Sequence, residues 1–203
     1  MERLLRKLHD AAFMNSELRG LPDFAEEHMN LLISLDADLN SKLHCGSNGC
    51  IINAHDPNWV IKITKDPDEV KLFSVIANEK IRSGFVRIKD IIVFPESWSL
   101  IVKQRVTPLN SFTGDDADEI TADYVNFMHV YYQEIHDVMV KRKSLPSAIS
   151  KIRKHTFGNV VDIFSSLRKL AYAGYRLLDI DLDNVGFSDG DQLVIFDAQL
   201  DLI

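Results

Sequence analysis

The hydrophobic pattern divides the chain into a helical start, a strand-rich middle and a helical end. In residues 1–36, apolar side chains such as Leu4 and Leu8 recur at the spacing of an amphipathic helix. Gly20 marks a break in this pattern, and Pro22 suits the first turn of another helix. The segment therefore predicts two helices.

The middle of the chain predicts a β-rich unit. Short runs rich in valine and isoleucine, bounded by glycine, proline, asparagine or aspartate, are typical of strands. These runs are CIINA, WVIKIT, FVRIKDIIVF and SWSLIVKQRV. One helix interrupts them, because Val70, Phe73 and Ile76 in the stretch DPDEVKLFSVIANEKI follow helical spacing.

Beyond a connector at residues 107–109, the pattern becomes helical again. The stretches DEITADYVNFMHVYYQEIHDVMVKRK and FGNVVDIFSSLRKLAYAG predict two amphipathic helices, and Gly174 suits the end of the second. NVGF and LVIF then predict two short strands on either side of the turn SDGD. We therefore divide the chain into an N-terminal helical segment (1–36), a β-rich lobe (37–107) and a helical lobe with a terminal hairpin (108–203).

Composition narrows the classes of function. The 203 residues are 46% hydrophobic and 26% charged, as in soluble globular proteins. A net charge of -7 disfavours nucleic acid and anionic membranes as partners. No apolar run suits a signal peptide or a membrane helix. Cys45 and Cys50 are too few for a disulfide framework, so the sequence predicts a reducing, cytoplasmic setting.

A glycine-containing turn and a lysine form the first candidate site. Gly46, Ser47, Asn48 and Gly49 lie between two predicted strands, and glycines there let backbone N–H groups approach phosphate. Lys62, on the strand that follows, can hold phosphate oxygens. The same pattern also fits an ordinary hairpin turn followed by an exposed lysine.

Three polar residues near the end of the chain form the second candidate site. Asp179 follows a helix and can accept the proton of a hydroxyl group, and Asn184, five residues on, can bind Mg²⁺. Asp197 ends an apolar run, where a carboxylate is costly unless a metal or cation compensates it. The chain between Asn184 and Asp197 forms a strand, a tight turn and a second strand, which should bring the two residues close together. Alternatively, Asp179 and Asn184 belong to an acidic loop that caps the end of a helix, and Asp197 is an ordinary strand end.

These segments together give the chain a resemblance to the protein kinase superfamily over about residues 42–200. AYAGYRLLDIDLDNVGF is similar to the family's catalytic loop, VIFDAQ to its Asp-Phe-Gly segment, and GSNGCII with VIKI to its glycine-rich loop and strand lysine. More narrowly, the chain resembles the small early protein kinases of short-tailed bacteriophages. The resemblance implies an α+β, bilobal protein-kinase-like fold with a reduced C-lobe, no activation segment and extra N-terminal helices.

The resemblance also implies roles for the residues of both candidate sites. Lys62 would hold the α- and β-phosphates of ATP beneath the glycines Gly46 and Gly49. Asp179 would be the catalytic base. Asn184 and Asp197 would bind Mg²⁺.

Two further parts of a nucleotide site follow from the same resemblance. A glutamate on the interrupting helix would pair with Lys62, and we prefer Glu79, 17 residues beyond the lysine, to Glu69, seven residues beyond it. Glu69 would instead lie in the first turn and favour the helix dipole. Lys103 to Val106, with Arg105 among them, would form a hinge whose backbone binds adenine.

Several positions depart from the family pattern. Leu177 and Leu178 stand where the family has histidine and arginine, and Ala198 stands where it has glycine. Asp181 stands where the family has lysine or histidine, and it either weakens transfer by its charge or serves as a further metal ligand. Only six residues follow Asp197, which leaves no activation segment.

The sequence thus predicts ATP- and Mg²⁺-dependent phosphoryl transfer to serine or threonine of a protein, with self-phosphorylation. The setting would be the host cytoplasm if a phage encodes the chain. A pseudokinase that binds and regulates a partner protein is one alternative, favoured by the departures from the family pattern. A small-molecule kinase or an AMP transferase is another.

Overall fold

A computed structural model describes residues 1–95, 98–111, 122, 160–178, 184–188 and 192–202. Within them the helices are α1 (Glu2–Met14), α2 (Leu21–Glu27), α3 (Met29–Ser34), α4 (Pro67–Asn78) and α5 (Val160–Tyr172). The strands are β1 (His44–Cys45), β2 (Gly49–Asn53), β3 (Trp59–Thr64), β4 (Ile88–Val93), β5 (Ser99–Gln104), β6 (Thr107–Pro108), β7 (Tyr175–Leu178), β8 (Val185–Ser188), β9 (Gln192–Ile195) and β10 (Gln199–Leu202).

The N-terminal segment contains three α-helices where the sequence predicts two. Helix α1 buries Leu4 and Leu8, which confirms its predicted apolar face. Gly20 has a φ of 84°, a conformation that glycine adopts without strain, and Pro22 lies in the first turn of α2, as predicted. The second predicted helix is divided at His28, where α2 ends and α3 begins.

The middle of the chain forms a five-stranded antiparallel sheet in the order β1-β2-β3-β5-β4. Ile61 of β3 lies opposite Ile52 of β2 and Val102 of β5, so these three side chains share one face. That face packs against the N-terminal helices. The core between them contains Leu4, Leu8, Leu18, Leu21, Phe24, Ala25, Met29, Leu32, Ala37, Cys50, Ile52, Ile61, Ile63, Trp98, Leu100 and Val102.

The last part of the chain forms the predicted helix and hairpin. Helix α5 ends just before Gly174, whose φ of 87° suits a helix C-terminus. Strands β8 and β9 pair antiparallel with Val185 opposite Ile195, which confirms the terminal hairpin. The predicted connector contributes β6, where Thr107 lies opposite Phe187 of β8. Strand β7 pairs with β10, a contact that the sequence analysis does not predict.

The chain divides into two compact units. The first contains Met1–Ser74 and Arg87–Arg105, and the second contains Val75–Val86 and Val106–Ile203. In the first unit the N-terminal helices and the sheet share one core. This mixture of helices with antiparallel sheet agrees with the predicted α+β class.

The long helix predicted at residues 118–143 lies outside the described residues, apart from residue 122. Among the helices that the structure does describe, none combines the length and the apolar character needed to cross a membrane.

Candidate nucleotide site

Lys62 lies on the sheet face opposite the N-terminal helices. Its neighbours Ile61 and Ile63 are fully buried in the helical core, so the alternation of strand side chains turns Lys62 the other way. There its Nζ lies 2.7 Å from Oε2 of Glu69, in the first turn of α4. The exposed fractions of the two side chains are 13% and 1%. Lys62 is therefore not the exposed lysine of an ordinary hairpin.

Lys103 makes a second ion pair with the same glutamate. It lies on β5 opposite Val60 of β3, which places it on the same face as Lys62. Its Nζ donates a hydrogen bond of 2.9 Å to Oε1 of Glu69 and lies 5.3 Å from the centre of the Phe73 ring. Each carboxylate oxygen of Glu69 therefore contacts one lysine.

The two lysines keep Glu69 ionised in a buried place. Burial by itself raises the pKa of its carboxyl group, but the charges of Lys103 and Lys62 outweigh burial and lower the pKa from its ordinary value of 4.5. Glu69 is therefore negatively charged at neutral pH. The formal charges of the three side chains sum to one positive charge.

The prediction that Glu79 pairs with Lys62 is wrong. Helix α4 ends at Asn78, so Glu79 lies just past its last turn and is exposed. The helix begins at Pro67, and only two residues separate it from the end of β3. A helix that starts so soon after the strand presents its first turn, and hence Glu69, to the lysine.

The glycine turn, residues 46–49, is tied to both α1 and α4. Asn15, which follows α1, donates from Nδ2 to the carbonyl oxygen of Gly46 over 3.2 Å. Asn48 donates from Nδ2 to Oδ2 of Asp66 over 3.3 Å. The other carboxylate oxygen of Asp66 accepts from a backbone N–H in the first turn of α4, as a helix cap does. The extra N-terminal segment therefore supports the turn, a contact that no motif in the sequence predicts.

The two glycines of this turn have different surroundings. A Cβ at Gly49 would lie 2.0 Å from the carbonyl oxygen of Ile63, so the close pairing of β2 with β3 requires glycine. A Cβ at Gly46 would meet nothing within 4 Å. Gly46, Ser47 and Asn48 are all exposed. Gly49 therefore has a structural role, whereas contact of Gly46, Ser47 and Asn48 with phosphate stays a prediction.

A disulfide closes the glycine turn, contrary to the expectation from the number of cysteines. Cys45 of β1 and Cys50 of β2 lie directly opposite each other, with Cα atoms 4.1 Å apart, and their sulfur atoms are bonded. Disulfides persist in oxidising surroundings. The cysteines therefore no longer support the reducing setting that their number predicts.

The predicted hinge begins inside the sheet. Lys103 pairs through β5 with both neighbouring strands, and the N–H of Arg105 donates to the carbonyl oxygen of Asn58 over 2.7 Å. The N–H group of Arg105 is therefore bonded within the first unit, and binding of adenine by the backbone of Lys103 to Val106 stays a prediction. The side chain of Lys103 reaches Glu69.

Asn184 and Asp197 lie beside each other at the base of the terminal hairpin, as their spacing predicts. The carbonyl oxygen of Asn184 accepts from the N–H groups of Phe196 over 3.0 Å and of Asp197 over 3.3 Å. Asn184 and Asp197 are both half-buried. An amide oxygen and a carboxylate are oxygen ligands that suit Mg²⁺. The donor set fits this metal, and the binding itself stays a prediction.

The predicted catalytic base cannot be placed, but its neighbour can. Asp179 and Asp181 lie outside the described residues. Leu177, two residues before the base, is 4% exposed and pairs with Leu200 across β7 and β10. Leu177 is therefore a packing residue at the position where the family has histidine.

Comparison with known proteins finds likeness in structure but not in sequence. No protein-family model and no curated protein matches the chain. The kinase PK-1 of the Cydia pomonella granulovirus matches with a TM-score of 0.52 and 14% identity over 90% of this chain. The chain spans 60% of the length of that kinase. This likeness shows that the chain has a protein-kinase-like fold, as the sequence predicts.

Two further solved structures match less well. The GDP complex of wild-type aminoglycoside 2'-phosphotransferase-IIIa has a TM-score of 0.42 and 15% identity, covering 88% of this chain and 73% of that one. The GDP and kanamycin complex of APH(2")-IIia has a TM-score of 0.39 and 13% identity, covering 85% of this chain and 73% of that one.

Proposed function

We propose that this chain is an ATP- and Mg²⁺-dependent phosphotransferase that acts on serine or threonine of a protein. The observation that carries the proposal is the ion pair of 2.7 Å between Lys62 and Glu69 on the sheet of a kinase-like fold. A lysine oriented by a glutamate in this way can hold phosphate oxygens at a fixed position. Its exposed fraction of 13%, against 4% for Lys103, suits a side chain that meets a soluble ligand.

In the proposed reaction each residue has one task. Lys62 binds the phosphates of ATP. Asn184 and Asp197 would hold Mg²⁺, which would supply neutralisation of phosphate charge. Asp179 accepts the proton of the acceptor hydroxyl while the hydroxyl oxygen bonds to the γ-phosphorus. The bond from the γ-phosphorus to the β-phosphate oxygen breaks, and ADP leaves. The residues thus act by positioning and by charge neutralisation.

The narrower resemblance to small phage protein kinases favours a protein as the acceptor. A small-molecule acceptor would leave every residue above in the same role and change only what docks beside Asp179. Transfer of AMP would instead place the α-phosphorus under attack. The position of the label in ATP separates these reactions.

A pseudokinase that binds a partner protein is the second candidate, and Leu177 favours it. This side chain is 4% exposed and contributes packing where the family has a polar residue beside its catalytic base. A pseudokinase would keep the fold and bind its partner without phosphoryl transfer.

Incubation of the purified chain with Mg²⁺ and ATP labelled at either the γ- or the α-phosphate tests the proposal, with and without added cell lysate. We expect γ-label on protein, including the chain itself, and no α-label. Lys62→Met should abolish the labelling. Lys89→Met, which changes an exposed lysine of β4, is the matched control and should retain it. Nucleotide binding without any transfer would favour the pseudokinase, and α-label on protein would indicate AMP transfer.

A further inference from the structure

We propose that the disulfide between Cys45 and Cys50 is a thiol-exchange site that controls the glycine turn, and that the cavity beside Cys45 admits an anionic thiol to it. The cavity and the turn both belong to the first unit. The effect on nucleotide binding rests on the proposed function, whereas the exchange itself does not.

The two cysteines differ in accessibility. Cys45 is exposed and lines a cavity of about 490 Å³ between α1 and the segment that leads into β1. Cys50 lies in the core between the sheet and the N-terminal helices, and its exposed fraction is 0%. A thiol in solution can therefore reach Cys45 but not Cys50, which makes Cys50 the leaving group.

The charge of the cavity favours an anionic thiol. Among the described residues that line it, Arg3, Lys7 and Lys42 are cationic and Asp10 is acidic. Lys7 donates to the carbonyl oxygens of residues 40 and 41, which ties the two walls together. Within the described part of the chain, Arg3 and Lys42 make no ion pair. Their charges are thus available to an anion, although the whole chain carries a net charge of -7.

The exchange proceeds in two steps. The thiolate sulfur of the incoming molecule bonds to Sγ of Cys45, the bond between the two cysteine sulfurs breaks, and Cys50 leaves as a thiolate that takes a proton from water. A second thiol attacks the mixed disulfide, forms the disulfide of the small molecule and releases Cys45. Two small thiols are thus oxidised as one protein disulfide is reduced.

The cross-link holds one half of the glycine turn. Strand β1 is two residues long and lies at the edge of the sheet. Beyond the cross-link, the N–H of Gly46 donates to the carbonyl oxygen of Gly49 over 2.9 Å, and the end of α1 adds one side-chain hydrogen bond. The other half is tied separately, because the carbonyl oxygen of Asn48 accepts from the N–H of Lys65 over 2.9 Å. Reduction should therefore loosen residues 44–47 and leave Asn48 in place.

Reduction by three thiols of different charge tests the cavity. The probes are glutathione, which is anionic, 2-mercaptoethanol, which is neutral, and cysteamine, which is cationic. Alkylation of the freed cysteines, followed by mass spectrometry, gives each rate. Lys42→Glu should slow reduction by glutathione about threefold, the scale of a charge interaction at an exposed site. It should leave the rate with 2-mercaptoethanol unchanged and raise the rate with cysteamine.

Lys89→Glu is the matched control, because it reverses the charge of an exposed lysine on β4, and it should leave all three rates unchanged. An equal effect of Lys42→Glu on the three thiols, or no effect on any, would overturn the role of the cavity.

Single-cysteine variants test the direction of attack. With glutathione disulfide, Cys45 in the Cys50→Ala variant should form a mixed disulfide faster than Cys50 does in the Cys45→Ala variant. A faster reaction of Cys50, or equal rates, would contradict the assignment of Cys45 as the attacked residue.

Amide hydrogen exchange followed by NMR tests the turn without nucleotide. After reduction of wild type, the N–H of Gly46 should exchange faster, while that of Lys65, at the other end of the turn, should keep its rate. An unchanged rate at Gly46 would overturn the inference that the cross-link holds the turn.

Calorimetric titration with ATP tests the consequence for the nucleotide site. Reduction should weaken binding about tenfold, the scale of ordering the backbone of one residue. If neither form binds ATP, the proposed function fails, and the exchange rate at Gly46 still decides the inference. Equal ATP affinity of the two forms, together with faster exchange at Gly46, would overturn the link between the disulfide and the nucleotide.

Discussion

Lys62 and Glu69 stand seven residues apart in the sequence, and their side chains form an ion pair of 2.7 Å between the sheet and the first turn of α4. Glu69 also accepts a hydrogen bond from Lys103. One buried carboxylate therefore serves two lysines from neighbouring strands. Removal of the Glu69 carboxylate should lower the free energy of unfolding more than removal of either lysine. When one lysine is removed, the other still forms a neutral pair with Glu69.

Glu69→Gln should lower the free energy of unfolding by about 3–5 kcal/mol, the usual cost of leaving buried charge without its partner. Glu79→Gln is the matched control, since Glu79 is exposed, and it should change the free energy by less than about 0.5 kcal/mol. Urea unfolding followed by circular dichroism measures both. Equal effects would mean that Glu69 is not the buried partner of the lysines.

Glu69 should also make stability depend on pH. Its pKa in the folded chain is lowered from 4.5, so the unfolded chain binds the proton at a higher pH than the folded chain does. The stabilisation is therefore fully present above pH 4.5 and is lost as pH falls through the folded pKa. The free-energy difference between wild type and Glu69→Gln should shrink in acid. A difference that stays constant from neutral to strongly acidic pH would contradict this expectation.

Gly49→Ala and Gly46→Ala should distinguish the structural role of the glycine turn from its proposed role in nucleotide binding. The first places a Cβ 2.0 Å from a carbonyl oxygen of β3 and should cost about 1–3 kcal/mol of stability. The second has open space and should cost less than about 0.5 kcal/mol, while it weakens nucleotide binding if phosphate approaches Gly46. Thermal unfolding and calorimetric titration measure the two effects. Equal destabilisation by both changes would contradict the described turn.

Reduction of the disulfide between Cys45 and Cys50 should lower stability by about 2 kcal/mol, because the cross-link restricts the unfolded chain. Urea unfolding with and without a thiol reductant measures the change. A Cys45→Ser/Cys50→Ser variant should unfold at the same urea concentration under both conditions. A wild-type chain that is insensitive to the reductant would show that the cross-link contributes nothing.

The sequence predicts most local elements because their signals are local. The strand WVIKIT appears as β3 at its predicted position, and the Asn184–Asp197 hairpin follows from one apolar run, one turn and another apolar run. The ends of these elements are set by neighbouring residues. Gly174 ends α5 through its own backbone conformation.

Contacts between distant segments were harder to predict. The partner of Lys62 depends on where α4 begins, and the sequence fits a helix with either glutamate near the lysine. Strand β10 is only the four residues QLDL, and it forms through pairing with β7, 25 positions away at Arg176 and Asp201. The side chain of Lys103 reaches Glu69 across the sheet, 34 positions back. Hydrophobic periodicity predicts single helices and strands, but it does not predict which distant residues pair with each other.

The roles of Asp179 and Asp197 can be separated by two substitutions. Asp197→Ala removes a proposed metal ligand, so Mg²⁺-dependent nucleotide binding should be lost. Asp179→Asn keeps the phosphate and metal contacts but removes the proposed base, so binding should remain while transfer falls about 10²–10⁴-fold. Asp201→Ala is the control, because Asp201 is 40% exposed and pairs with Arg176 at the surface, where an ion pair contributes little.

The initial rate of γ-phosphate transfer as a function of Mg²⁺ concentration, measured for wild type and these three variants, tests phosphotransferase activity most directly. We expect a Mg²⁺-dependent rate for wild type and Asp201→Ala, and little or no transfer for Asp179→Asn and Asp197→Ala. Equal rates for wild type and Asp179→Asn would contradict the proposed mechanism, and the pseudokinase would then be the better account of the same residues.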